Sequence, residues 1–68
     1  TNGKLRDRAI RIIESATGAP RAVAEKALED SGFKVKIAIL MILLNIDAIT
    51  AKSRLENSSD RIREALHE

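Results

Sequence analysis

This sequence contains no cysteine, tryptophan or tyrosine, and it has a single phenylalanine and a single histidine. The absence of cysteine excludes disulfides, thiol catalysis and thiolate-ligated metal sites. Phe33 is the one aromatic side chain, so the chain offers a single ring for stacking on nucleic-acid bases. His67 stands next to the last residue, where chains usually fray, and nothing near it in the sequence offers a second ligand or a triad partner. We therefore expect no cofactor and no metal.

Charges of both signs are interspersed along the chain, with 12 basic and 10 acidic residues and a net charge of +2. Nucleic-acid modules usually concentrate Lys and Arg on one face. This balance therefore predicts no nucleic-acid partner. The length of 68 residues allows one domain at most, over residues 1–68, and is short for a self-contained active-site cleft.

The longest apolar run is IAILMILL, residues 37–44. As a helix it would rise about 12 Å, against about 30 Å for the hydrocarbon core of a bilayer, so we expect no membrane partner. The charged start of the chain predicts no signal peptide. A strand is rejected because no other segment alternates with period two. The run is expected to be a helix buried on more than one face, with Leu40 and Leu43 in the core.

Helical spacing of apolar residues predicts five helices. Their expected ranges are 4–17, 20–31, 34–44, 48–57 and 60–68. Gly18 and Gly32 are expected to end the first two helices, Asn45 to cap the third, and Asp47 to begin the fourth. Most of the apolar residues that recur at this spacing are predicted to face inward: Leu5, Ala9, Ile12, Ile13, Ala16, Val23, Ala24, Ala27, Leu28, Met41, Ala48, Ile49, Ala51, Leu55, Ile62, Ala65 and Leu66.

A weak internal repeat has an offset of 27 positions, the separation of Ala24 and Ala51. The matched pairs include Leu28 with Leu55, Ile13 with Leu40, Gly18 with Asn45, Val35 with Ile62, and Ala38 with Ala65. We interpret the repeat as two three-helix units that share the third helix, which would explain why that helix is apolar all round. The expected fold is all-α: a compact bundle of about five short helices around a buried central helix.

The passage from Ala24 to Ile39, A-x-x-A-L-x-x-x-G-x-x-V-x-x-A-I, resembles ubiquitin-associated-like domains, which share a three-helix fold. The ubiquitin-binding members carry Met-Gly-Phe or Met-Gly-Tyr in the first loop, whereas this chain has Thr17-Gly18-Ala19. One alternative for function is therefore a free-standing protein-binding module of this type.

The opening TNGKLRDRAIRIIESATG is similar to the C-terminal region of N-acetylmuramic acid 6-phosphate etherases, which carry T-N-x-K-L-x-x-R-A-x-R-I-I-x-x-A-T-G after a sugar-phosphate isomerase-type (SIS-type) catalytic domain. The resemblance implies a cytoplasmic enzyme of cell-wall recycling that breaks the lactyl ether of its substrate, giving N-acetylglucosamine 6-phosphate and D-lactate. Its acid/base glutamates belong to the SIS-type domain. The resemblance thus implies that this chain is a non-catalytic tail that packs on that domain, in the same chain or in a second subunit.

Five residues are candidates for docking or for contact with a sugar phosphate nearby: Asn2, Lys4, Arg8, Ile10 and Arg11. Lys4, Arg8 and Arg11 form a basic stripe on the first helix, which could equally be a solvated face. Asn2 and Lys4 lie in the stretch that matches the junction with the catalytic domain. Ile10 lies off the main apolar stripe and is expected near the surface.

Phe33 follows Gly32 in the loop between the second and third predicted helices. It is interpreted as a core or staple residue in preference to a recognition residue.

Overall fold

The computed structural model describes residues 2–57, which form four α-helices. These are α1 (Asn2–Thr17), α2 (Arg21–Asp30), α3 (Val35–Leu44) and α4 (Ala48–Asn57). The all-α prediction is confirmed, and the first four predicted ranges agree with the observed ones to within two residues at each end. The fifth predicted helix, 60–68, lies outside the described residues.

The predicted helix ends are confirmed by the backbone. Gly18 follows α1 with a φ of 74°, in the left-handed region that glycine enters without steric cost. Asn45 caps α3 in the same region, with φ 54° and ψ 51°, and its N–H donates to the carbonyl of Met41. Asp47 precedes α4, and its Oδ1 accepts a hydrogen bond of 2.8 Å from the N–H of Thr50.

The turn between α2 and α3 is built around two consecutive residues with positive φ, Gly32 at 71° and Phe33 at 69°. Ser31 holds this turn, because its hydroxyl donates to the carbonyl of Leu28 at 2.9 Å and accepts from the N–H of Lys34 at 3.1 Å. The N–H of Phe33 also donates to the Leu28 carbonyl, at 2.9 Å. The side chain of Phe33 remains 49% exposed, so its interpretation as a core residue is wrong.

Two apolar clusters form the interior of the described chain. The first joins α1, α2 and α3 and consists of Ala9, Ile10, Ile13, Ala24, Ala27, Leu28, Ala38 and Ile39. The second joins α3 and α4 and consists of Ile37, Leu40, Ala51 and Leu55. Helix α3 contributes two buried residues to each cluster, on opposite sides. The prediction of a shared central helix is therefore confirmed for its contacts with α1, α2 and α4.

Several apolar residues predicted to face inward are exposed instead. The exposed fractions are 60% for Leu5, 46% for Ile12, 44% for Val23, 43% for Leu43 and 81% for Ile49; Ala16 is exposed as well. In α1 the cause is that α2 and α3 pack side by side against it. The buried side of α1 is therefore formed by Ala9, Ile10 and Ile13. Leu5 and Ile12 lie on the outer side of the helix.

Candidate docking surface

The basic stripe lies on the outside of α1, as predicted from its helical spacing. Lys4, Arg8 and Arg11 are all exposed, and together with Gly3 and Asp7 they line a shallow depression on the surface. Asn2 is the first residue of α1. The stripe is thus available for contact with an anion or an acidic surface, but it is open to solvent on the described chain.

Ile10 does not belong to this surface. Its side chain has 0% exposure and is among the largest fully buried side chains of the first cluster. The expectation of a surface position is wrong because the apolar arc of α1 is wider than one narrow stripe and extends to the side that faces α2. Ile10 is therefore a core residue of the described chain.

Asp7 neutralises part of the basic stripe. Its carboxylate pairs with Arg11 one turn later in α1, at 3.0 Å, and with Arg21 at the start of α2, also at 3.0 Å. Lys4 and Arg8 form no ion pair with any residue within 2–57. Within the basic stripe, the residues that lack a carboxylate partner among residues 2–57 are therefore the two nearest the N-terminus, Lys4 and Arg8.

Arg6, the residue before Asp7, also joins α1 to α2. Its Nη2 donates to Glu29 Oε2 at 2.7 Å and to Glu25 Oε2 at 3.2 Å. These hydrogen bonds, that to Glu29 first, raise the pKa of the Arg6 guanidinium above its usual value. These contacts add to the apolar packing that holds α1 on α2.

The outward side of α1 combines cationic and apolar groups. Lys4, Leu5, Arg8 and Ile12 follow one another at helical spacing and are exposed, and we refer to them as the outer face of α1. Leu5 extends this face toward Phe33, because the two side chains line a common depression with Gly3 and Arg6. Sequence reasoning missed Leu5, Ile12 and Phe33 as surface residues, since their apolar character alone assigned them to the core.

No group of three or more His, Asp or Glu side chains within 2–57 is arranged to hold a metal ion. His67 lies outside the described residues. Among the described helices, none is long and apolar enough to cross a membrane.

Over 97% of its length, the chain is similar to enzymes of one type. Over 66 residues it is 56% identical to N-acetylmuramic acid 6-phosphate etherase of Serratia proteamaculans (strain 568) and 52% identical to that of Pectobacterium atrosepticum. It is 48% identical to N-acetylmuramic acid 6-phosphate etherase 1 of Bacillus licheniformis. No family model matches the chain.

The matches cover 97% of this chain but 22% of each of these relatives, so the chain spans about a fifth of their length. They give no support to the alternative of a free-standing ubiquitin-associated-like module. Along nearly its whole length, the chain therefore corresponds to one segment of the N-acetylmuramic acid 6-phosphate etherases.

Proposed function

We propose that this chain is the C-terminal helical segment of an N-acetylmuramic acid 6-phosphate etherase and that it contributes no catalytic residue. The observation that carries the proposal is the similarity at 48–56% identity along 97% of the chain, confined to 22% of the relatives. The parent enzyme would be a carbon–oxygen lyase of cytoplasmic cell-wall recycling, with its acid/base glutamates in a SIS-type domain.

The role proposed for the segment is to pack on that catalytic domain, in the same chain or in a second subunit, and so to stabilise it or cap its sugar-phosphate cleft. The outer face of α1 supports this role because its apolar residues Leu5 and Ile12 are 60% and 46% exposed. Burial of such side chains contributes about 25 cal/mol per Å² of apolar area. Lys4 and Arg8 beside them favour a partner surface that carries acidic groups or a phosphate.

Deleting the segment from the full-length etherase tests its assignment as a non-catalytic support. The shortened enzyme is expected to keep its catalytic glutamates but to lose thermal stability, subunit association or part of its etherase activity. The measurements are activity on N-acetylmuramic acid 6-phosphate, the melting temperature and the mass in solution. Full retention of all three would contradict the proposed role.

Substitutions on the outer face test where the segment docks. Leu5→Ser and Ile12→Ser are expected to lower the melting temperature of the full-length enzyme and to leave that of the isolated 68-residue chain nearly unchanged, because both side chains are already exposed there. Val23→Ser is the matched control, since Val23 is 44% exposed but lies on α2. An equal effect of all three changes on the full-length enzyme would exclude the outer face of α1 as the docking surface.

Contact of Asn2 or Lys4 with the bound sugar phosphate is the finer form of the same proposal. Lys4→Ala in the full-length enzyme is expected to raise KM for N-acetylmuramic acid 6-phosphate, whereas Lys26→Ala, an exposed lysine on α2, leaves it unchanged. An unchanged KM in Lys4→Ala would restrict the outer face to a docking role.

A further inference from the structure

Phe33 has a backbone conformation that does not suit its side chain. Its φ of 69° follows that of Gly32, 71°, so two consecutive residues are left-handed. Glycine enters this region without steric cost and asparagine tolerates it, whereas a bulky side chain brings Cβ too close to the following carbonyl oxygen. Glycine or asparagine at position 33 would therefore suit the turn better than phenylalanine does.

The hydrogen bonds of the turn do not depend on the phenylalanine ring either. The N–H of Gly32 donates to the carbonyl of Glu29 at 3.1 Å, and that of Phe33 donates to the carbonyl of Leu28 at 2.9 Å. These are the two hydrogen bonds of a Schellman motif, which ends a helix. Every residue except proline supplies such an N–H. Position 33 thus contributes its backbone to the fold, and the identity of its side chain needs another explanation.

Burial does not supply that explanation, because Phe33 is 49% exposed. It lines a depression of about 520 Å³ together with Gly3, Leu5 and Arg6. Leu5 is itself 60% exposed, so a large apolar side chain from α1 and one from the α2–α3 turn meet at a single open surface. Strained residues cluster at binding sites, and aromatic side chains are enriched among the residues that contribute most to protein interfaces.

The charge around this depression is positive. Arg6 lines it but is paired with two glutamates of α2. Lys4 and Lys34, each adjacent in sequence to a lining residue, are exposed. None of the described residues that line the depression carries a carboxylate. The surface therefore suits a partner that presents an apolar side chain flanked by carboxylates.

The location of the depression indicates which partner covers it. Gly3 and Leu5 belong to the first turns of α1, which begins at Asn2. The chain spans about a fifth of its relatives. If it is their C-terminal segment, the polypeptide of the preceding catalytic domain enters α1 directly beside the depression.

We propose that Phe33 is the anchor residue by which the segment docks on the catalytic domain of its own chain, with Phe33 and Leu5 packed against an apolar side chain of that domain. The inference rests on the proposed function and extends the docking surface from the outer face of α1 to the α2–α3 turn. The contact with the catalytic domain, and not the stability of the segment, then accounts for a phenylalanine at a left-handed position.

Photo-crosslinking in the full-length enzyme tests this contact directly. Phe33→p-benzoylphenylalanine places a photoreactive ring at the depression. Ile49→p-benzoylphenylalanine is the control, because Ile49 is 81% exposed but lies on α4. Illumination is expected to link position 33 to the catalytic domain within one chain, with the linked peptide identified by mass spectrometry. A link from position 33 to another subunit, equal yields at the two positions, or no link at position 33 would overturn the proposal.

Phe33→Asn gives a second measurement, because asparagine tolerates the left-handed backbone and removes the ring. The melting temperature of the isolated 68-residue chain is expected to stay within about 4 °C of the parent value, since the relieved strain offsets the lost packing. That of the full-length enzyme is expected to fall by about 4–8 °C. Ile49→Asn is the matched control and is expected to have no greater effect on the full-length enzyme than on the isolated chain. The same pattern for Phe33→Asn would overturn the proposal.

Deletion of the whole segment separates this inference from the function on which it rests. Loss of stability or activity on deletion, together with the predicted fall for Phe33→Asn, supports both. If deletion impairs the enzyme and Phe33→Asn leaves the full-length enzyme unchanged, the segment docks through another surface and the role of Phe33 alone is refuted. If deletion has no effect, the proposed function is refuted and the role of Phe33 with it.

Discussion

Gly18 and Asn45 lie 27 positions apart. Each directly follows the last residue of a helix, and each has a left-handed backbone conformation. Their φ angles are 74° and 54°. Gly18 ends α1 and its N–H donates to the carbonyl of Glu14 at 2.8 Å, while the N–H of Asn45 donates to the carbonyl of Met41. Since glycine and asparagine are the residues that tolerate this conformation best, the same turn chemistry ends the first helix of both units.

Replacing Gly18 with alanine is expected to destabilise the chain by about 1–2 kcal/mol. The added methyl group has open space around it, so the cost comes from the left-handed backbone alone. Gly3→Ala is the matched control, because Gly3 lies within α1 and its added methyl group also meets nothing. That control is expected to be neutral or slightly stabilising, since alanine favours helix over glycine. Urea denaturation of both variants measures the difference, and an equal effect would contradict this account.

Leu40→Ala is expected to lower the free energy of unfolding by about 2–5 kcal/mol. Leu40 has 0% exposure and belongs to the second cluster, so the truncation removes buried area and leaves a cavity. Leu43→Ala, the same change one turn later in α3, is expected to cost less than about 1 kcal/mol because Leu43 is 43% exposed. Chemical denaturation checks both values. A large loss in Leu43→Ala alone would show that α3 is rotated relative to this structure.

The positions of the helices could be predicted from the sequence because their ends depend on local chemistry. Gly18, Asn45 and Asp47 each act through their own backbone or through a hydrogen bond to a residue close in sequence. The repeat likewise predicted that α3 packs on both sides, since only a helix with two buried faces explains a run without polar residues.

The burial of individual side chains depends on tertiary packing and was predicted less well. Ile10 and Ile12 are both isoleucines of α1, two positions apart, yet the first is fully buried and the second is 46% exposed. Which of them faces inward depends on where α2 and α3 contact α1, and those contacts join residues that are far apart in the sequence. The spacing of apolar residues within α1 does not contain that information.

Arg6→Gln is expected to destabilise the chain, and the loss is expected to shrink in 1 M NaCl. The guanidinium connects α1 to two glutamates of α2 that lie 19 and 23 positions later in the sequence. In 1 M salt the Debye length is about 3 Å, so the attraction between such charges is largely screened. Lys26→Gln is the control, because Lys26 pairs at 3.4 Å with Asp30 within the same helix and is 77% exposed. Melting temperatures at low and high salt compare the two variants. An effect of Arg6→Gln that does not depend on salt would point to lost packing in place of lost charge.

Acid is expected to weaken the start of α4 through Asp47. The hydrogen bonds from Thr50 lower the pKa of the Asp47 carboxyl below its ordinary value, because they stabilise the charged form. A folded-state pKa below the unfolded one makes the carboxylate stabilising at neutral pH. That contribution is complete well above the ordinary aspartate pKa of about 3.9 and is lost as pH falls through the lower pKa of the folded state.

Asp47→Asn isolates this contribution from the titration of the other carboxylates. Asparagine caps helices about as well as aspartate and does not titrate, so the variant is expected to fold normally at pH 7 and to lose less stability than the parent chain between about pH 5 and pH 2. Asp47→Ala, which removes the cap, is expected to be less stable than both at pH 7. Melting temperatures across this range compare the three chains. If the parent and Asp47→Asn lost stability in parallel, the cap would contribute nothing to the acid sensitivity.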